Sequence, residues 1–499
     1  MRIAVACAVA LLLAAPLRAQ APSAVAPKLS ANTTFSADAL QGDVDVLQQA
    51  YEALHPGLHR YNTPEQMRGH FDALRRELSG ERTLAQAYLA LSKFAGTVRC
   101  GHTYANFYNQ PEAVRAALFE GRNRVPFHFR WLDGAMVVTR DFTAGRVLPP
   151  GTTVTAIDGI DTTELLASLM PYARADGSND AKRRSLLSVQ GDDEWETFDI
   201  FLPLVHPQVG ARQTLQVRTP GSRTTRTVIV DAVDQAGRLA QRPKAPDGER
   251  AGWTFDTTDD GLAVLAMPGW ALYDSKWDWK GFLRDSFARI DAAKPRALVI
   301  DLRGNEGGLD VGDEILPHLI ARELRVPSPE RRVRYRKVPD ALAPYLDTWD
   351  PSFKDWGEQA QPVGDGFYRL VRANGADAPA VFAPRAPRYA GPVFVLVGAA
   401  NSSATFQFAH QVQRAALATL VGQPTGGNQR GINGGAFFFL RLPNTGIELD
   451  LPLIATFPPG QPPDAGLMPD VLVNASAADI AAGRDVEMAA VRAALARRD

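Results

Sequence analysis

Two short stretches of this sequence place residue types where acyl-transfer chemistry would need them. Ser403 follows an apolar run from Val393 to Val397 and the turn Gly398-Ala399-Ala400-Asn401-Ser402, and it opens a predicted helix that reaches about Ala416. A strand-to-helix junction suits a nucleophilic hydroxyl. The first helical turn leaves N–H groups unpaired and carries the positive end of the helix dipole. The amide of Ala404 can then face the oxyanion formed by attack from Ser403. The same serines can equally serve only as a helix cap. The second stretch is Asp301-Leu302-Arg303-Gly304-Asn305-Glu306-Gly307-Gly308, directly after a buried-strand run, Ala297 to Asp301. Glycines there let backbone approach a ligand and expose amides, so Gly307 or Gly308 can complete an oxyanion hole. An ordinary turn is the plainer alternative. A phosphate loop is excluded because the Gly-Lys-Ser/Thr ending is missing. The eight histidines are scattered, with no HExxH and no cysteine pair, so neither a metal nor a cofactor is expected.

Taken together, these stretches and the later Leu420-Val421-Gly422-Gln423-Pro424-Thr425-Gly426-Gly427 and Ala465-Gly466-Leu467-Met468-Pro469-Asp470 resemble the tail-specific (C-terminal-processing) serine proteases and the tricorn core protease. The likeness extends to Leu54-His55-Pro56-Gly57 and the middle of the chain. It implies a crotonase-like catalytic domain, Ser403 as nucleophile, an oxyanion glycine within Gly307-Gly308, and no metal. One branch of the family carries a lysine base in the segment that here reads Thr425-Gly426-Gly427-Asn428. No lysine follows Lys354, so the resemblance points to the tricorn-like branch, with a histidine base in a Ser-His-Ala-Tyr setting. The matching residues are Gly101-His102-Thr103-Tyr104, which makes His102 the expected base. A neutral imidazole is the usual partner of a serine hydroxyl. The family's orienting acid falls at Pro463, and Asp464 beside it is the candidate with a one-residue shift. Glu306 stands where the family usually has glycine, and Phe406 where a glutamate is common. Cys100 reads as a small buried apolar residue. The implied activity is serine-type peptide hydrolysis through an acyl-enzyme. A non-catalytic peptide-binding protein on the same fold and a serine esterase are the alternatives.

The elements that would position these residues fall into an α/β (α+β overall) chain of 499 residues. Met1-Arg2-Ile3, an apolar run to Leu17 and the small Ala19 predict a signal peptide over 1–19 and a secreted or periplasmic protein without a membrane anchor after cleavage. A flexible leader spans 20–34. An N-terminal helical region, 35–109, carries His102. Its helices are signalled by Val44, Leu47, Tyr51 and Leu54 at helical spacing, by a capping box at Thr63-Pro64-Glu65-Gln66, and by Thr83. Residues 110–252 form a β-rich middle region whose strand–Asp158-Gly159–strand–helix order is PDZ-like. Residues 253–499 form the catalytic domain, where βα alternation implies a largely parallel sheet, with 326–387 as an insertion that caps a cleft. With 54 Lys and Arg against 55 Asp and Glu, nucleic acid is not an expected partner. A peptide or protein substrate is. Only Cys100 would remain after cleavage, so no internal disulfide is expected.

Overall fold

The computed structural model describes residues 29–242, 252–327, 329–371 and 380–497. The expected signal peptide lies outside them. Among the described residues no helix is long and apolar enough to cross a membrane.

The N-terminal helices form where their caps lie. Ser36 caps Ala37–Leu54, and capping boxes at Thr63/Gln66 and Thr83/Gln86 open Pro64–Glu77 and Leu84–Thr97. Each box satisfies two otherwise orphaned donors. The apolar face of the first helix, including Val44, Leu47, Tyr51 and Leu54, is wholly buried.

The middle region is an antiparallel sheet in the order Phe127–Leu132, Ala135–Asp141, Thr153–Ile157, Arg212–Arg218, Arg226–Asp231. Asp158 and Gly159 both take positive φ and turn the chain into Ile160–Asp161 and the helix Thr162–Leu169.

The sheet that precedes Ser403 and the Gly307-Gly308 loop runs Val471–Leu472, Thr419–Gly422, Val393–Val397, Ala297–Asp301, Leu262–Ala266, Thr254–Thr257. Every neighbour pair is parallel except the last. Its central strands are apolar without a break because both faces are covered. Leu298, Ile300, Val393, Val395 and Val397 pack with Leu283 and Phe287 of helix Trp279–Ala293 and with Phe408 and Val412 of helix Ser403–Arg414. The alternate residues Ala297, Val299, Phe394 and Leu396 pack with Met488, Val491 and Leu495 of the last helix.

The described part of the segment 326–387 builds much of a second sheet. Four of its strands join the hairpin Asn433–Arg441/Glu448–Phe457 in an antiparallel six-stranded sheet. The buried face of that sheet, with Val333, Phe438 and Leu451, shares one apolar core with the N-terminal helices and the middle region. That core is separate from the two apolar clusters that cover the faces of the parallel sheet.

Candidate active site

Asp301 and Leu396 are register partners on adjacent parallel strands, so the loops that leave their carboxyl ends lie side by side. Ligands gather at such strand ends in parallel sheets. Asn401 stitches the two loops together, donating from Nδ2 to the carbonyls of Leu302 (2.6 Å) and Asn305 (2.9 Å). Ser402 Oγ donates to the Glu306 carbonyl at 3.0 Å, and Thr405 Oγ1 donates to Asn305 Oδ1 at 2.8 Å. Ser402 therefore serves the glycine loop and makes no side-chain cap for the helix.

Ser403 is half-buried and has φ of +52°. A non-glycine residue in the left-handed region costs of order 1–3 kcal/mol and clusters at functional sites. Strand-to-helix turns that expose a nucleophile are strained in this way. A Cβ built on Gly307 would stand 2.9 Å from Ser403 Cβ and 3.0 Å from Ala404 N, so the Gly307 backbone faces the serine directly.

The two glycines do different things. The Gly307 amide donates to Asn305 Oδ1 at 2.9 Å, which corrects the expectation that either glycine could supply the oxyanion donor. Among the described residues the amides of Gly308 and Ala404 have no acceptor. Gly308 is also wedged on the backbone of Trp270, where an added Cβ would come within 2.1 Å of the carbonyl oxygen.

His102 sits in a loop pinned on all sides. His55 accepts from the Gly57 amide at Nδ1 (3.1 Å), so its Nε2 carries the hydrogen toward Thr103 Oγ1 at 2.8 Å. Gly101 N–H donates to Asp176 Oδ1 at 2.9 Å, and Asn433 Nδ2 reaches Cys100 Sγ at 3.2 Å. Cys100 is buried, which pushes its thiol up to about 11. Burial lowers the His102 pKa from its usual value. Asp176 opposes that shift, while Arg174 and Lys182 add to it. His102 Nδ1 is buried without a hydrogen-bond partner.

Asp464 does not reach this ring. Its carboxylate accepts from Ser178 N (3.0 Å), Ser178 Oγ (2.9 Å) and Asn428 Nδ2 (2.7 Å). Those bonds outweigh burial and hold its carboxyl below the usual range. Among the described residues no hydrogen bond joins Asp464 to His102. The carboxylate felt most strongly at His102 is that of Asp176, which is 2% exposed.

The structure adds a charged cluster that the motifs do not reveal. Glu306 accepts from Arg174 Nη2 at 2.8 Å and from Lys182 Nζ. Lys182 also donates to the Ala400 carbonyl at 2.8 Å, and Arg174 to the Gly101 carbonyl at 3.3 Å. One carboxylate thus ties together the glycine loop, the approach to Ser403 and the loop of His102. Burial alone would raise the Glu306 carboxyl, but Arg174 and Lys182 outweigh it and hold it well below the usual range. Lys182 comes from the middle region. Its stem lies against Gly426, where an added Cβ would stand 2.8 Å from Lys182 Cδ. A sequence without lysine after Lys354 therefore still brings a lysine to the site. The signal that could have found this cluster was Glu306 itself, a charge in a loop where the resemblance implies glycine.

Among the described residues no group of His, Cys, Asp and Glu is placed to hold a metal. A cavity of about 580 Å³, lined by Gly151, Arg218, Ala477 and their neighbours, includes none of these candidate site residues.

A serine in the left-handed region that faces a glycine loop at the head of a helix is an arrangement found where serine nucleophiles are exposed. Residues 261–471 match the family model described as Peptidase family S41. Over that stretch the chain is similar to this family, and it is a serine-type peptidase, a hydrolase; the similarity implies peptide or protein substrates. Mature CPAF complexed with lactacystin is similar in fold. It has 19% sequence identity and a TM-score of 0.60, covering 92% of this chain and 99% of that one. A second structure of mature CPAF gives 18% identity and a TM-score of 0.57, covering 89% and 94%. No curated protein matches the sequence.

Proposed function

We propose that this chain is an exported peptidase that cleaves through an acyl-enzyme, with Ser403 as nucleophile and His102 as base. The observation that carries the reading is the left-handed Ser403 held against Gly307 at the head of a helix. Ser403 Oγ attacks the scissile carbonyl while His102 takes its proton. The amides of Ala404 and Gly308 receive the oxyanion. His102 then protonates the leaving amine, and a water attacks the acyl-enzyme by the reverse proton path.

Two features favour histidine over lysine as the base. His102 is kept neutral by burial, which is the form a base must have. Burial lowers the Lys182 pKa, with Glu306 opposing that shift, but its Nζ is already engaged by Glu306 and the Ala400 carbonyl rather than by Ser403. Asp176, rather than Asp464, supplies the negative field that favours the imidazolium once it forms. The strand–turn–strand–helix order of the middle region supports a PDZ-like domain, and the parallel sheet with Ser403 at its edge supports a crotonase-like one. Export rests on the sequence of residues 1–19.

The test is labelling with a fluorophosphonate. Wild type should be labelled at Ser403 and the Ser403→Ala variant should not, with both folded. Labelling that persists in Ser403→Ala refutes the assignment.

A further inference from the structure

An aromatic surface runs outward from the candidate base. The Phe437 ring centroid lies 5.9 Å from that of His102. Trp349 lies 5.9 Å from Phe437 and 5.9 Å from Phe439, and meets Phe353 edge-on at 5.4 Å. Trp349 is nonetheless 59% exposed. Along Asn433–Arg441 the alternate residues Ala436, Phe438 and Leu440 are wholly buried, so Phe437 and Phe439 stand on the opposite, outer face. A large ring left this open beside a catalytic base calls for an occupant.

The strand edge next to it is only partly paired. The short strand Leu346–Asp347 pairs only with Leu440 and Phe439. Among the described residues, Asn433–Phe438 have no strand partner on that edge. Gly434 lies beside His102, and a Cβ there would still be 3.9 Å from the imidazole. A strand edge with small residues admits an extended peptide, whose main chain pairs with the edge while its side chains enter adjacent pockets.

We propose that Trp349 and Phe437 form a substrate subsite for a large apolar side chain on the C-terminal side of the scissile bond. The inference rests on His102 as the base. An imidazole that deprotonates the serine next protonates the leaving amine, so a surface touching the imidazole faces the leaving half of the substrate. The substrate class is then an extended peptide with Phe, Leu or a similar residue within two positions after the cut.

Cleavage sites in a mixed peptide library, read by mass spectrometry, would be followed by a quenched-peptide series varied only at those two positions. Wild type should favour Phe or Leu over Ser by roughly tenfold or more in kcat/KM, the effect of burying such a side chain on a half-open surface. Trp349→Ala should bring that ratio close to one, chiefly through KM, and Trp349→Phe should keep most of it. The proposal is overturned if wild type shows no such preference or if Trp349→Ala retains it. A uniform loss on all peptides with a lowered melting temperature overturns it too, because Trp349 would then only cover the sheet. Fluorophosphonate labelling of wild type keeps the two readings apart. An unlabelled Ser403 refutes the mechanism, whereas a labelled Ser403 without apolar preference refutes the subsite alone.

Discussion

Gly307 and Gly308 are neighbours in one loop, yet replacing each by alanine should fail in a different way. Gly307 has φ of +107° and Gly308 +137°. Alanine in such backbone carries a strain of about 1–3 kcal/mol. At Gly307 the new methyl would meet Ser402 O and Ser403 Cβ at 2.9 Å and Ala404 N at 3.0 Å. The atoms that must give way are those of Ser403, the proposed nucleophile, and the first amide of its helix. At Gly308 the methyl would meet the Trp270 carbonyl oxygen at 2.1 Å and its carbon at 2.2 Å. That is backbone against backbone, at the bridge joining this loop to the strand-end segment of Trp270. Overpacking adds about 1–3 kcal/mol, so Gly308→Ala should lose roughly 2–6 kcal/mol of stability and much of its folded protein. Gly307→Ala should stay folded with a smaller drop in melting temperature. Its kcat should fall about 10²–10³-fold, the typical loss of one oxyanion donor, while KM changes little. The assay is kcat, KM and thermal melting on both variants. Full kcat in Gly307→Ala, or a Gly308→Ala protein as stable as wild type, would refute the reasoning.

The pH profile tests the base. A pKa lowered from 6.5 leaves the active neutral imidazole populated as pH falls past 6.5. The acid limb of kcat/KM should therefore lie below 6.5 and vanish with the residual activity of His102→Ala; a limb above 6.5 would contradict the burial argument. Glu306→Gln should leave Lys182, whose side chain is 2% exposed, without its counter-ion. Breaking a buried pair costs about 3–5 kcal/mol, and since solvent reaches the Glu306 side chain, which is 33% exposed, a loss near ~3 kcal/mol is expected. Denaturant titration measures it. Fluorophosphonate labelling of the same variant should slow as the loops of Ser403 and His102 come apart, and an unchanged rate would show that the cluster does not position them.

The elements that were legible in the sequence are those whose causes are local. The boxes at Thr63 and Thr83 satisfy donors within three residues, and the unbroken apolar runs of Ala297–Asp301 and Val393–Val397 report two covered faces. Ser403 and the Gly307-Gly308 loop were legible as candidates for a related reason, because each lies within a few residues of the strand that aims it. The strain at Ser403 and the separate roles of the two glycines needed the fold. Whether an amide is free depends on where Asn305 points, and whether a Cβ fits depends on Trp270.

Contacts across the chain were beyond reach for a physical reason. Glu306 meets Lys182 and Arg174, which are 124 and 132 residues earlier, and no periodicity records a partner at that range. Asp464 sat at a plausible place in the motif, yet its carboxylate is taken up by Ser178 and Asn428. Asp176, 75 residues from Gly101, took the position beside the histidine loop. The segment 326–387 looked like a separate cap, and only the pairing of its strands with the late hairpin shows why Trp349 stands over Phe437. The sequence by itself determined which groups are candidates for the chemistry and which local elements hold them. The tertiary structure decided which charges surround them, because ion pairs and close approaches depend on distances in space that a chain sets only once it has folded.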